Sequence, residues 1–328
     1  MLKIILLCGG KGSRLWPLSY PGRTKPFIPL FESGGKKYSA IQRIWHQLQR
    51  SGLSRFACIL IGPDQRKILL EQLGDSVPYL VEPSGRGTYP AIVYAAASLN
   101  SLNQADEMFL VLPADFYVED DFFDLLWKLE PSLIRSGAKL ALIGTKPTGA
   151  SERFGYIVTG AKDNSQRCEY MTVERFVEKP LQNEAMALVA QGGWWNCGAA
   201  AVTRSTLVHL LEQDGFELDS SMISRRFHEL EQISFDYKVL QRTRDIIMLP
   251  FEGKWRDLGS WDVWEQVRRE QRGREMEERS GRKVTIINET ELEVKVEGVD
   301  DVLVVVSTAG VLVRRIGRSQ ELRQMDGD

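Results

Sequence analysis

The sequence predicts an α/β fold, a mostly parallel, doubly wound sheet followed by a small C-terminal β domain. Ile4-Ile5-Leu6-Leu7 is an unbroken apolar run that ends in glycines, the pattern of a strand covered on both faces and closing in a tight loop. Short apolar runs then alternate with segments of helical periodicity as far as residue 144, the rhythm of strands joined by helices packed on both faces of a sheet. Past residue 283 the helical periodicity gives way to short β-rich runs.

The elements follow in order. Residues 38–51 carry Ile41, Ile44, Trp45 and Leu48 at helical spacing and stop at Gly52. Strands are predicted at 56–61, 79–81, 108–112 and 139–144, with helices at 64–73, 89–99 and 122–135 between them. From about residue 152 the segments change: 154–157, 176–180 and 195–198 each set glycine, amide or charge at the edge of an apolar strand. A helix after Trp261 closes the main domain, 1–271, and the segment 272–282 is nearly all charged or small and is predicted as a linker. The small domain, 283–328, is predicted to hold strands at 284–287, 293–296, 302–306 and 311–316 and a brief helix from Arg318. Its apolar strands need the first domain or another subunit to pack on.

A chain of 328 residues suits two such domains, and 43% apolar with 26% charged residues is ordinary globular composition. A net charge of −2 gives no electrostatic footprint for nucleic acid or an anionic membrane, so neither is an expected partner. Cys8, Cys58, Cys168 and Cys197 are too widely spaced for a zinc or redox pair and are expected to be reduced and buried. His46, His209 and His228 stand in helical segments away from any ligand-like motif. The N-terminal apolar run is too short for a signal peptide and no stretch approaches a membrane span, which predicts a cytoplasmic protein.

Ligands in such sheets sit at the carboxyl ends of the strands, and the polar motifs fall there. After the first strand comes Gly9-Gly10-Lys11-Gly12-Ser13-Arg14-Leu15, in which glycines let main-chain N–H groups crowd around an anion while Lys11 and Arg14 add charge. It is neither a P-loop, since Gly12 follows Lys11, nor a dinucleotide loop, since Leu15 stands where a third glycine is needed. With Arg23 and Lys25 close behind, the cations suit a polyphosphate. Glu82-Pro83-Ser84-Gly85-Arg86-Gly87-Thr88 follows the third strand, and Asp115 follows the strand 108–112, where an Asp alone reads equally well as a helix cap.

The first loop together with Lys25-Pro26 resembles the signature of sugar-1-phosphate nucleotidyltransferases, and its extension Trp16-Pro17-Leu18-Ser19 is similar to that of the mannose-1-phosphate guanylyltransferases. The resemblance spans the whole chain and implies a Rossmann-like catalytic domain and a C-terminal domain that is partly a left-handed β-helix. It implies a nucleotide site of Gly9, Gly10, Lys11, Gly12, Ser13, Glu82, Arg86, Gly87 and Thr88, with Glu82 on the base. Catalytic cations would be Arg14, Lys25 and Lys179. Asp115, and Asp257 before Gly259-Ser260-Trp261, would be ligands for Mg2+, a pair of carboxylates suited to that hard cation. Gly155, Glu178, Asn196 and Asp236 would meet the sugar.

The implied reaction is guanylyl transfer from GTP to α-D-mannose 1-phosphate, with a homodimer as the candidate assembly. The chain departs from the family pattern at Gly87 and Tyr89, where Asn and Ala are common, and at Phe116 and Gln241. Another sugar 1-phosphate or NTP, a glycosyltransferase consuming a nucleotide sugar, and a non-catalytic nucleotide-sugar sensor stay open as alternatives.

Overall fold

The structure is a computed structural model that describes residues 2–10, 13–100, 107–160, 169–272 and 284–316. Lys11, Gly12, Cys168, most of the predicted linker and the helix expected from Arg318 lie outside the described residues.

The first half lays down β1 (Leu2–Leu7), β2 (Phe31–Ser33), β3 (Lys36–Tyr38), α1 (Ala40–Arg50), β4 (Ala57–Ile61), α2 (Arg66–Leu73), β5 (Tyr79–Val81), α3 (Thr88–Leu99), β6 (Met108–Pro113), β7 (Phe116–Val118), α4 (Asp121–Ser136) and β8 (Leu140–Thr145). Helix α1 begins at a capping box: the Ser39 side chain accepts from the Gln42 N–H, and the Ser39 N–H donates to Gln42 Oε1 at 2.9 Å. It ends where Gly52 turns the chain and the Leu53 N–H reaches back to the Leu48 carbonyl at 2.8 Å. The second half adds β9 (Tyr156–Thr159), β10 (Met171–Val177), α5 (Gln182–Ala190), β11 (Trp194–Thr203), α6 (Arg204–Gln213), α7 (Ser220–Arg226), β12 (Ile246–Phe251), β13 (Trp255–Asp257) and α8 (Trp261–Arg272). Strands β14 (Val284–Asn288), β15 (Val302–Ser307) and β16 (Gly310–Arg315) form the C-terminal sheet.

Among the described residues the main sheet runs β5-β4-β1-β6-β11-β8-β12-β10-β9. Strands β5, β4, β1 and β6 are parallel, as are β8 and β12, whereas β11 opposes both β6 and β8, and β10 opposes β12 and β9. Side chains alternate between the faces. Ile4 and Leu6 pack with α1 and α4 residues such as Ile44 and Phe122, and Ile5 packs with Tyr89, Ile92 and Leu207 of α3 and α6. Both faces are thus dry, which accounts for the continuous apolar runs of the central strands.

Two sequence expectations change here. Residues 195–198, expected at the edge of a strand, lie inside β11 in the middle of the sheet. The apolar run continues through Ala199, Ala200, Ala201 and Val202, all buried, and the polar interruption is absorbed by a register shift between Asn196 and Ala200. Residues 293–296, expected as a strand, have no ladder partner. Val294 and Val296 nonetheless pack on Val302, Val304 and Val306, so the alternation in sequence is real burial without strand pairing.

In the C-terminal sheet β14 and β15 are parallel and β15 and β16 antiparallel. Leu303 and Val305 enter a core shared with Leu15, Leu18, Ile28, Trp261 and Trp264, so the small sheet packs on the first domain beneath the loop after β1.

Candidate active site

A cavity of about 900 Å³ opens at the carboxyl ends of β1, β4 and β5, lined among others by Gly9, Gly10, Gly62, Glu82, Gly87 and Thr88. That volume suits a nucleotide. The loops around it are stitched together by Gln65, whose side-chain NH2 donates to Thr24 Oγ1 at 2.7 Å while its oxygen accepts from the Gly62 N–H at 2.7 Å. Glu82 is only 7% exposed, and a Cβ at Gly9 would sit 3.6 Å from its Oε1. Burial pushes its carboxyl up to about 7, because taking the charged form out of water is unfavourable.

Beside the cavity stands a cluster of opposite charges. Strands β7 and β13 pair as a two-stranded ribbon with Asp257 opposite Phe116, and the Leu258 N–H donates to the Asp115 carbonyl at 3.3 Å. Asp115 and Asp257, distant in sequence, are therefore set side by side. Lys25 lies between them: its Nζ donates to Asp115 Oδ2 at 2.9 Å and also to Asp257 Oδ1. Arg153 holds the other oxygen of Asp257 at 2.8 Å. Burial alone would raise the Asp257 carboxyl, but Lys25, Arg153 and Arg14 outweigh it and hold it below the usual range. Burial would likewise lower Lys25, and the two aspartates outweigh it. No third carboxylate, histidine or cysteine joins the two aspartates among the described residues. A donor set of two converging carboxylates fits a magnesium ion that takes its remaining ligands from phosphate and water.

Past this cluster lies a third group. Lys179 Nζ pairs with Glu178 Oε1 at 2.7 Å, and Asn196 Nδ2 donates to Asp236 Oδ1 at 3.4 Å. The Asn196 N–H donates to the Gly155 carbonyl at 2.8 Å. Gly155 allows this closeness, since a Cβ there would meet Glu178 Oε2 at 2.7 Å and the Phe176 ring at 2.6 Å. Lys179 itself takes φ 46°, an uncommon conformation for a residue with a side chain and the kind of local strain that collects at binding sites. Burial raises the carboxyls of both Glu178 and Asp236, which share the charge of Lys179.

The sequence-derived residues thus assemble into three adjoining groups. Gly9, Gly10, Glu82, Gly87 and Thr88 line the cavity; Lys25, Asp115 and Asp257 meet, with the Arg14 charge felt at Asp257; and Gly155, Glu178, Lys179, Asn196 and Asp236 converge. Lys11 and Gly12 lie outside the described residues, as does the side chain of Ser13. Arg86 does not line the cavity: its Nη2 donates to the Leu230 carbonyl at 3.0 Å. Arg23, counted among the phosphate-facing cations, instead makes a two-pronged pair with Glu289 at 2.6 Å for each contact. Sequence reasoning missed Gln65 and Arg153. For Arg153 the available signal was its place immediately before Phe154-Gly155, within a motif already singled out. Cys8, Cys58 and Cys197 are free and buried, as expected. No helix among the described residues is long and apolar enough to cross a membrane.

A nucleotide-sized cavity at the carboxyl ends of parallel strands, continuous with a carboxylate–cation cluster and a polar pocket, defines a nucleotide-binding α/β protein. The chain belongs to the nucleotidyl transferase family, whose profile matches residues 3–272. It is 32% identical over 289 residues to the xanthan biosynthesis protein XanB of Xanthomonas campestris, covering 80% of this chain and 59% of that protein. The chain thus spans little more than half the length of that relative. It is 29% identical over 354 residues to a Klebsiella pneumoniae protein named mannose-1-phosphate guanylyltransferase, covering 99% of this chain and 73% of that one. A crystal structure from Thermus thermophilus, titled mannose-1-phosphate geranyltransferase, superposes with a TM-score of 0.76 at 25% identity over 96% of this chain and 95% of that one.

Proposed function

We propose that this chain catalyses magnesium-dependent guanylyl transfer from GTP to α-D-mannose 1-phosphate, giving GDP-mannose and pyrophosphate in a cytoplasmic setting. Glu82 carries this reading. It is a buried carboxylate at the edge of a nucleotide-sized cavity, and guanine presents N1–H and the N2 amino group side by side as donors to such a group. The names of the Xanthomonas, Klebsiella and Thermus proteins support the same assignment.

In the proposed reaction a phosphate oxygen of the sugar phosphate attacks the α-phosphorus of GTP. One P–O bond forms as the bond to pyrophosphate breaks. The nucleophile is already an anion, so no residue has to remove a proton. The work of the protein is positioning and charge neutralisation. Gly9 and Gly10 bring main-chain N–H groups to the phosphates, Arg14 and Lys25 oppose the triphosphate charge, and Lys179 receives the sugar phosphate. Glu178, Asn196, Asp236 and the Gly155 main chain hold the sugar hydroxyls by hydrogen bonds of fixed geometry. Asp115 and Asp257 would hold Mg2+, which when bound supplies charge neutralisation at the phosphate oxygens.

Pyrophosphate release from each of four NTPs against several sugar 1-phosphates tests the proposal. GTP with mannose 1-phosphate is expected to give the highest kcat/KM. A different best pair would move the specificity while keeping the chemistry, and pyrophosphate release independent of any sugar phosphate would sink the proposal.

A further inference from the structure

We propose that Tyr89, Asp214 and Lys238 form a positioning link that fixes the sugar-side residue Asp236 relative to the nucleotide loop, so that the two halves of the site keep one register. This rests on the sugar-phosphate reading above. The Tyr89 hydroxyl donates to Asp214 Oδ2 at 2.9 Å, and Lys238 Nζ donates to Asp214 Oδ1 at 2.9 Å and to Glu231 Oε2 at 2.9 Å. Tyr89 is fully buried and the Lys238 side chain is 11% exposed, so the chain is sheltered from water along most of its length. Burial and the neighbouring Asp214 both push the Tyr89 phenol up, which keeps it a donor.

The segment this link secures has one end on each half of the site. At one end, the nucleotide loop is pressed against residues 230–235. Arg86 donates to the Leu230 carbonyl at 3.0 Å, the Tyr89 N–H donates to the Ile233 carbonyl at 3.2 Å, and the Phe235 N–H donates to Thr88 Oγ1 at 2.8 Å. Gly87 makes the approach feasible: at φ 96°, a Cβ there would lie 2.8 Å from the Ile233 oxygen. At the other end, Asp236 and Lys238 belong to one π-helical turn, Asp236–Leu240, a rare geometry that recurs at functional sites. Asp236 accepts from Asn196 there, and Gln241 just beyond accepts from the Glu178 N–H at 3.3 Å.

The two anchors are unequal. Helix α3, which carries Tyr89, is buried along most of its length, whereas the π turn buries only Val239 and Leu240. Breaking the link therefore releases the sugar side more than the nucleotide side.

The test is steady-state kinetics of pyrophosphate release with Tyr89→Phe, which keeps the buried ring and removes only the hydroxyl, and Lys238→Met from the other side of Asp214. Each is expected to raise KM for the sugar phosphate about tenfold, the cost of one hydrogen bond to a charged group, with KM for GTP changed less than twofold. Lys238→Arg, which keeps the charge at Asp214, is expected to recover most of the loss. A merely structural role would lower the melting temperature or the active fraction and leave this split between the two KM values unmoved. Equal changes in both, or none, would overturn the link while leaving the function in place. A wild type without sugar-phosphate-dependent release would overturn both.

Discussion

Glu82 offers the most demanding check, because its burial and its proposed partner make opposite demands on its proton. In the free protein burial raises the carboxyl to about 7, so the ionised form predominates only above that pH. Guanine needs the ionised form, because a protonated carboxyl presents a donor toward two donors. At pH 5 the ionised fraction is lower by roughly a hundredfold, so kcat/KM for GTP, which reports on the free enzyme, is expected to fall about tenfold per unit below 7. Phosphate ionisation also changes in this range, and ITP controls for it, having the same triphosphate and lacking only the N2 amino group. The charge-assisted bond to that group is worth about 1.5–3 kcal/mol, so wild type should prefer GTP over ITP by roughly ten- to hundredfold at pH 8. The preference should shrink toward unity by pH 5. Glu82→Gln, which keeps one acceptor and sets an NH2 against a donor, should show a small preference that does not vary with pH. A wild-type ratio independent of pH, or a mutant that still discriminates, would refute the assignment of Glu82 to the base.

The same carboxyl has a signature in stability. Its folded-state value lies above its unfolded one, so the stability it confers is complete below about 4.5 and is lost as pH rises through about 7. Glu82→Gln should therefore melt above wild type at pH 8 and near it at pH 4.5, as followed by circular dichroism. Lys179→Ala is expected to raise KM for the sugar phosphate and lower kcat while GTP affinity, measured by calorimetry, stays within about twofold; loss of GTP affinity with sugar-phosphate affinity intact would contradict its placement. Asp115→Asn and Asp257→Asn preserve shape and should each cut turnover by more than about a hundredfold, with weaker Mn2+ binding by titration and an unchanged far-ultraviolet spectrum. Wild-type activity of either at limiting magnesium would remove the two-aspartate site.

Much of this arrangement was legible in the sequence because it follows from local rules. The apolar run of β1 ending in Gly9 and Gly10, the capped helix after Ser39 and the alternation through β8 need only periodicity and turn chemistry. Even the meeting of Asp115 with Asp257 was foreseen, though by likeness to a family and not from the residues, since nothing local announces that Phe116 will pair with Asp257. What escaped depends on distant partners. Arg153 looks like a surface charge until β13 brings Asp257 to it. Tyr89 finds its acceptor 125 residues away. Arg23 carries the charge expected of a phosphate ligand, and only the C-terminal sheet reveals that Glu289 already occupies it. Strand β11 was misplaced because a polar Asn and a Gly inside an apolar stretch read as a boundary, when a bulge absorbed them.

The C-terminal sheet has a bearing on the order in which the protein can become competent. Leu15 and Leu18, at the root of the nucleotide loop, bury themselves against Leu303 and Val305, and the Pro17 carbonyl accepts from Ser307 Oγ at 2.8 Å. During synthesis the loop is among the first segments to leave the ribosome, yet its floor is made from some of the last residues described. Until β15 arrives, those leucines have no cover on that side, and the paired Arg23 has no Glu289. The nucleotide-binding apparatus therefore matures from its C-terminal side, and the strands that complete it touch none of the groups assigned to the chemistry.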